Sequence, residues 1–200
     1  MSDHGHDHDD HDDHEHHHHA LSYEDELAQM REAATHYYQH EFNWKGQEPP
    51  EDFDGPRWFP VNQDWRLAAR LDRVAPGAGD HVELATSTGQ LRHMENMGQL
   101  VFEVGGQEQR LTAFRSSAME GLLFVPFRDT TSGVETYGSG RYVDVPFEDT
   151  DELVELDFNF AYNPSCAFSP AYDCPFPPPT NRLSVAIAAG EKLPSGTPAH

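Results

Sequence analysis

Hydrophobic positions in this 200-residue chain recur at two different spacings. Near the N-terminus, Leu27, Met30, Ala34 and Tyr37 fall on one face of a helix. Ser22 precedes them as a candidate cap, and Asp25 stands three residues later in a weaker form of the capping-box pair. The spacing predicts a helix over 22–40, and Pro49-Pro50 ends any such element. From Arg57 onward the pattern changes to short apolar runs broken by turn residues. Segments 57–61, 65–74, 81–86, 99–104, 109–115, 121–127, 141–145, 153–158 and 183–187 read as strands. Gly105-Gly106 joins two of them as a tight hairpin, because both residues tolerate positive φ. Strands at this spacing, without a βαβ pattern or an internal repeat, predict an antiparallel β-sandwich or barrel preceded by one N-terminal helix. The expected organisation is a disordered tail over 1–20, a single β-rich domain over 21–193 and a loose end over 194–200.

Charge changes this picture in one respect. The chain holds 35 acids against 13 bases, only Lys45 and Lys192 being lysines. Seven of the acids lie in the tail, so the remainder is still strongly acidic. Self-repulsion of that order is screened in strong salt, where the Debye length shrinks to about 3 Å at 1 M. The expectation is a salt-rich cytoplasm, as in halophilic microbes. No basic stripe offers itself to a nucleic-acid backbone, so no nucleic-acid partner is expected. No apolar run approaches the ~18 residues that a membrane helix needs, and no basic-then-apolar leader is visible, so no membrane partner and a cytoplasmic location are expected.

The tail interleaves His4, His6, His8, His11, His14, His16, His17, His18 and His19 with Asp and Glu. Neutral imidazoles beside carboxylates suit divalent zinc, nickel, cobalt or copper. A metal-buffering tail, a solvated acidic tail without a role and a purification tag are the competing readings, and interleaved Asp is unusual for a tag. His36 and His40 share a helix face at i, i+4; an exposed helix face accounts for them as well as a metal pair does.

Two polar-aromatic blocks, 124–142 and 157–168, are richer in charged, amide and hydroxyl groups than a plain core requires. Arg128, Asp129, Glu135, Tyr137 and Arg141 in the first are candidate ligand-binding residues, the arginines as a clamp for a carboxylate or phosphate. The alternative is a structural ion network. In the second block Asp157, Asn159, Tyr162 and Asn163 are candidates, since polar groups on one strand face require partners or a wet cavity. Cys166 and Cys174 are the only cysteines, and their spacing fits no zinc knuckle. A disulfide, two buried thiols and a metal or catalytic thiol all stay open. The proline-rich run 175–179 should be extended and suited to covering a sheet edge. No Gly-x-Ser-x-Gly, P-loop, Gly-x-Gly-x-x-Gly or His-Glu-x-x-His motif is present.

The stretches Leu123–Tyr142, Asp157–Ala167, Cys174–Leu183 and Ala189–Lys192, with Trp58-Phe-Pro and Thr86–Gly89, resemble the prokaryotic domain-of-unknown-function family 1684 over about residues 22–193. The histidine tail lies outside the resemblance. It implies a shared fold and no established activity. Three functions remain. The first is a β-domain binding a small polar or anionic ligand, with divalent metal ions on its tail. The second is an enzyme with Asp157, Glu135 or Tyr137 as acid or base and Arg128 and Arg141 stabilising negative charge. The third is an interaction module without a small ligand. A strongly perturbed carboxylate in a cleft would favour the enzyme.

Overall fold

Helix α1 (Tyr23–His36) begins where its cap predicts: Ser22 Oγ accepts from the Asp25 amide at 3.1 Å. Glu24, Asp25 and Glu26 occupy the first turn, where carboxylates complement the helix dipole. The computed structural model describes residues 21–75, 81–115 and 120–194. The expectations for the histidine tail and for residues 195–200 of the loose end lie outside these, while Pro194, the first residue of that end, is buried. After His36 the chain continues through a π turn, Tyr37–Glu41, so the helical segment ends one residue past its predicted limit.

Seven strands follow: β1 (Arg66–Arg73), β2 (His81–Ala85), β3 (Leu91–Val104), β4 (Gln107–Arg115), β5 (Leu122–Phe127), β6 (Arg141–Pro146) and β7 (Leu153–Asp157). All pair antiparallel, in the order β6-β5-β4-β3-β1-β7, with β2 on the first part of β3. β3 and β4 meet across Gly105-Gly106, both at positive φ, so this hairpin forms as predicted. The two ends of the sheet approach one another. Just past β7, Tyr162 exchanges two backbone hydrogen bonds of 2.9 Å with Tyr142 on β6. The fold is therefore a nearly closed antiparallel barrel, which leaves little free edge.

Two predicted strands do not form. Segment 57–61 contributes only a bridge from Trp58 to Glu191, and 183–187 only neighbours the bridge between Arg128 and Arg182. Neither forms a ladder, and the second bends at 184–185, where Val185 accepts from the Thr130 amide at 3.2 Å. β3 is longer than predicted because residues 91–95 gain β2 as a partner. Segment 174–176 covers the free edge of β2 as expected, the Phe176 amide donating to Ala85 at 2.7 Å and Ser87 to Cys174 at 2.9 Å.

Alternation sorts the strands into two faces. Leu100, Leu111, Leu123, Val125, Val143, Val145, Val154 and Leu156 fill the barrel with Phe158, whose ring meets those of Trp65, Phe102 and Phe127 at 5.2–6.3 Å. Residues between them point outward. Asp144 and Pro146 on β6, and Glu155 and Asp157 on β7, thus stand on the outer face at the seam where the barrel closes.

Candidate cavity beneath helix α1

Helix α1 lies over that seam and leaves a cavity of 640 Å³ beneath it. The size is within the range of small-molecule sites. The helix supplies Tyr23, Glu26, Met30 and Ala34, the strands supply Arg66, Asp144, Glu155 and Asp157, and Trp58, Phe160 and Tyr162 complete the sides. Glu191 reaches the cavity from the chain's last described segment, next to Gly190. Gly190 has φ +73°, and a Cβ there would stand 2.4 Å from the Ala161 carbonyl, so the turn that delivers Glu191 requires glycine.

The carboxylates differ sharply in their surroundings. Asp157 is satisfied: Oδ1 accepts from the Asn159 amide and side chain, both at 2.9 Å, and Oδ2 accepts from the Tyr23 hydroxyl at 2.7 Å with Arg66 Nε 3.6 Å away. Asp144 Oδ2 accepts from the Tyr162 hydroxyl at 2.8 Å, while its Oδ1 is buried without a partner among the described residues. Burial raises the Asp144 pKa, and the Tyr162 bond offsets part of this. Glu191 is 2% exposed, and burial pushes its pKa up to about 8 despite the Asn163 amide donating to Oε2 at 2.7 Å. Burial also raises Tyr23, Tyr38 and Tyr162, so their hydroxyls stay protonated throughout the neutral range.

The model of a family described as proteins of unknown function, DUF1684, matches residues 51–192, most of the chain. The chain belongs to this family. An uncharacterised protein of Haloarcula marismortui, solved in solution by NMR, is 36% identical with a TM-score of 0.65, over 84% of this chain and 93% of that one. No curated protein matches the chain significantly. Cavity residues from α1 lie before the matched DUF1684 region, whereas those from the barrel and Glu191 lie within it.

In this DUF1684 chain the residues singled out from sequence separate into groups. Asp157 and Tyr162 line the cavity. Asn159 is fully buried and braces Asp157 and the backbone of Asn62; Asn163 holds Glu191 and the Lys192 carbonyl. The expected arginine clamp does not assemble. Arg141 is 1% exposed and committed to Asp129 at 3.1 Å and to the carbonyls of Ile187, Ala189 and Glu191, which is the structural ion network. Arg128 is half-buried beside Asn181 and Leu183, Glu135 is exposed, and Tyr137 packs near Cys166. None of these five faces the cavity. Sequence reasoning missed Glu191, Asp144, Tyr23, Tyr38 and Trp58. A lone acid inside the apolar strand Arg141-Tyr-Val-Asp-Val was the available signal for Asp144. No helix among the described residues is long and apolar enough to cross a membrane. His36 and His40 are exposed with rings 4.7 Å apart, and among the described residues no cluster of three His, Cys, Asp or Glu could hold a metal.

Cys166 and Cys174 are both buried free thiols, of which Cys174 borders a second cavity of 250 Å³ that shares Tyr38 and Tyr162 with the first. The Cys174 thiol hydrogen-bonds Cys166, which brings Cys166 down to about 7 against the effect of burial and pushes Cys174 up. Alkylation of Cys166 by iodoacetamide should therefore fall off below about pH 7. Cys174→Ala should move that midpoint upward, past the ordinary thiol value of about 8.5. An unmoved midpoint in the variant would show that the neighbouring thiol does not stabilise the thiolate.

Proposed function

We propose that the chain binds a small polar molecule in the cavity beneath α1. The observation that carries this is Asp144, whose buried Oδ1 has no partner among the described residues and stands on the cavity wall. A buried acceptor left unmatched costs about 1–3 kcal/mol, which a ligand donor would recover. Native mass spectrometry of the full-length chain tests the reading. The expected result is a small mass lost on denaturation and lost again in Ala34→Trp, which fills the cavity. A mass retained equally by a folded Ala34→Trp variant would place the ligand elsewhere, and no bound mass together with no stabilising hit in a metabolite screen would overturn the reading.

A specific observation favours an acid–base enzyme as the second reading. Glu191 is raised by burial in a cleft to about 8, so it can hold a proton near neutrality and donate it to a substrate, and burial shifts its neighbour Asp144 in the same direction. Product formation from a bound substrate, abolished in Glu191→Gln, would separate this from simple binding.

The histidine tail is proposed as a buffer for zinc, nickel or cobalt. A strain whose chain lacks residues 3–19 should grow less well at the extremes of metal supply. Unchanged growth across limitation and excess would end that proposal.

A further inference from the structure

We infer that the cavity beneath α1 recognises a small organic cation, an amine or quaternary ammonium group. This rests on the binding reading above and narrows it to one chemical class. The lining is aromatic and acidic at once: Tyr23, Tyr38, Trp58, Phe160 and Tyr162 surround it, and five carboxylates border it. Ring faces attract cations, most strongly where water is excluded. Among the described residues Arg66 is the lone basic lining residue, and its charge is already paired although its Nε has no hydrogen-bond partner. Its Nη2 donates to Glu155 at 2.9 Å, and its guanidinium carbon lies 4.2 Å from the Tyr23 ring centroid. Arg31 does the same just outside, 5.1 Å from the Trp58 centroid. The chain thus already seats two of its own cations on rings of this lining.

Charge balance disfavours the opposite class. An anion would enter against Glu26, Glu155 and Asp157 with the Arg66 charge already paired to Glu155, and the buried donors left open to it are Arg66 Nε and Trp58 Nε1. A neutral ligand would satisfy the orphan oxygen of Asp144 but leave the acid excess unmatched. A protonated amine supplies both a donor and the counter-charge; a quaternary ammonium supplies the charge, and in choline the hydroxyl is the donor. Cation binding also has a protonic signature. Glu191 is faced by the Asn163 amide and lies near Arg141, Tyr38 and Tyr162, and Asp144 is faced by Tyr162; all of these are committed or neutral. A bound cation would lower the pKa of both carboxyl groups, so binding near pH 7 should release protons and tighten as pH rises.

The test is calorimetric titration of the full-length chain with choline and with putrescine, each against its uncharged counterpart, the carbon isostere of choline and butanediol. Running each in two buffers of different ionisation enthalpy counts the protons released. The expected result is that at least one cation binds about tenfold or more tightly than its neutral counterpart, releases protons, and loses about tenfold in Asp144→Asn. The same preference should be weakened by Trp58→Leu, a change of ring without a change of charge. Equal binding of cation and counterpart would overturn the inference and leave the cavity a binding site. Binding of neither, with a neutral or acidic mass carried by the native protein, would overturn it likewise. Binding of neither with no carried mass would bring down the binding reading as well.

Discussion

Arg141→Met should lower stability by about 3–5 kcal/mol, the range for breaking a buried ion pair from one side. At roughly 2–4 °C per kcal/mol for a domain of this size, the melting temperature should fall by about 6–20 °C. The size of the effect follows from what the guanidinium holds. It reaches Asp129 at 3.1 Å, the Ile187 carbonyl at 2.9 Å and the Glu191 carbonyl at 3.0 Å, as well as Ala189. Asp129 in turn accepts from the Ile187 amide at 2.9 Å and from the Thr131 amide and hydroxyl. Burial lowers the guanidinium pKa, and the Asp129 charge offsets part of this. Methionine would fill the space but leave a carboxylate and three carbonyls unmatched. Arg141→Lys should recover only part of the loss, since one ammonium cannot span these acceptors as a planar fork does. Asp129→Asn combined with Arg141→Met should cost less than the sum of the two singles, because they break the same pair. Thermal denaturation of the parent and the four variants decides the matter. A Met variant melting within about 3 °C of the parent would show that the ion network is not structural.

That network realises, for Arg141, the structural alternative that the sequence left open beside a ligand clamp. Charged groups between glycines and aromatics signal a site, but the same composition serves a buried clamp on a segment that has no ladder of its own. Residues 187–191 form no strand, so their carbonyls need donors, and Arg141 provides them. The clamp still bears on the cavity at one remove, because the backbone it grips carries Glu191. Strands were legible wherever alternation coincided with pairing, as in β4, β6 and β7. Segment 183–187 alternates in burial as a strand would, yet it bends at 184–185 and meets residues 128–130 through only two backbone hydrogen bonds, and periodicity alone does not tell the two apart. The first part of β3, Leu91-Arg-His-Met-Glu, has little alternation to read because it pairs with β2 over a largely solvated surface. The cavity was half legible. Asp157 and Tyr162 were visible as polar groups too close to a core, whereas Tyr23, Tyr38 and Glu191 meet only through contacts distant in sequence.

Glu191→Gln should remove a fall in stability that the parent shows between about pH 4.5 and pH 8. The group has a pKa of 4.5 when solvated and about 8 when buried in the fold. Between these values the folded state keeps a proton that the unfolded state has released. Stability therefore declines as pH rises, by about 1.4 kcal/mol per pH unit, on the order of 5 kcal/mol in all. The contribution is fully present below 4.5 and lost once pH passes 8. Glutamine keeps the oxygen that accepts from the Asn163 amide and cannot ionise, so the variant should match the parent near pH 5 and exceed it by several kcal/mol near pH 8.5. Asp144 is shifted the same way and Cys166 the opposite way, so the informative quantity is the difference between the two denaturation curves at each pH, in which groups common to both cancel. Parallel curves across this range would mean that Glu191 ionises in the fold as easily as in water. A cation held in the cavity would act on the same titration. By favouring ionised Glu191 it would flatten the parent's decline, and it should do so less in the Gln variant, which ties the stability of the fold to occupancy of the cavity.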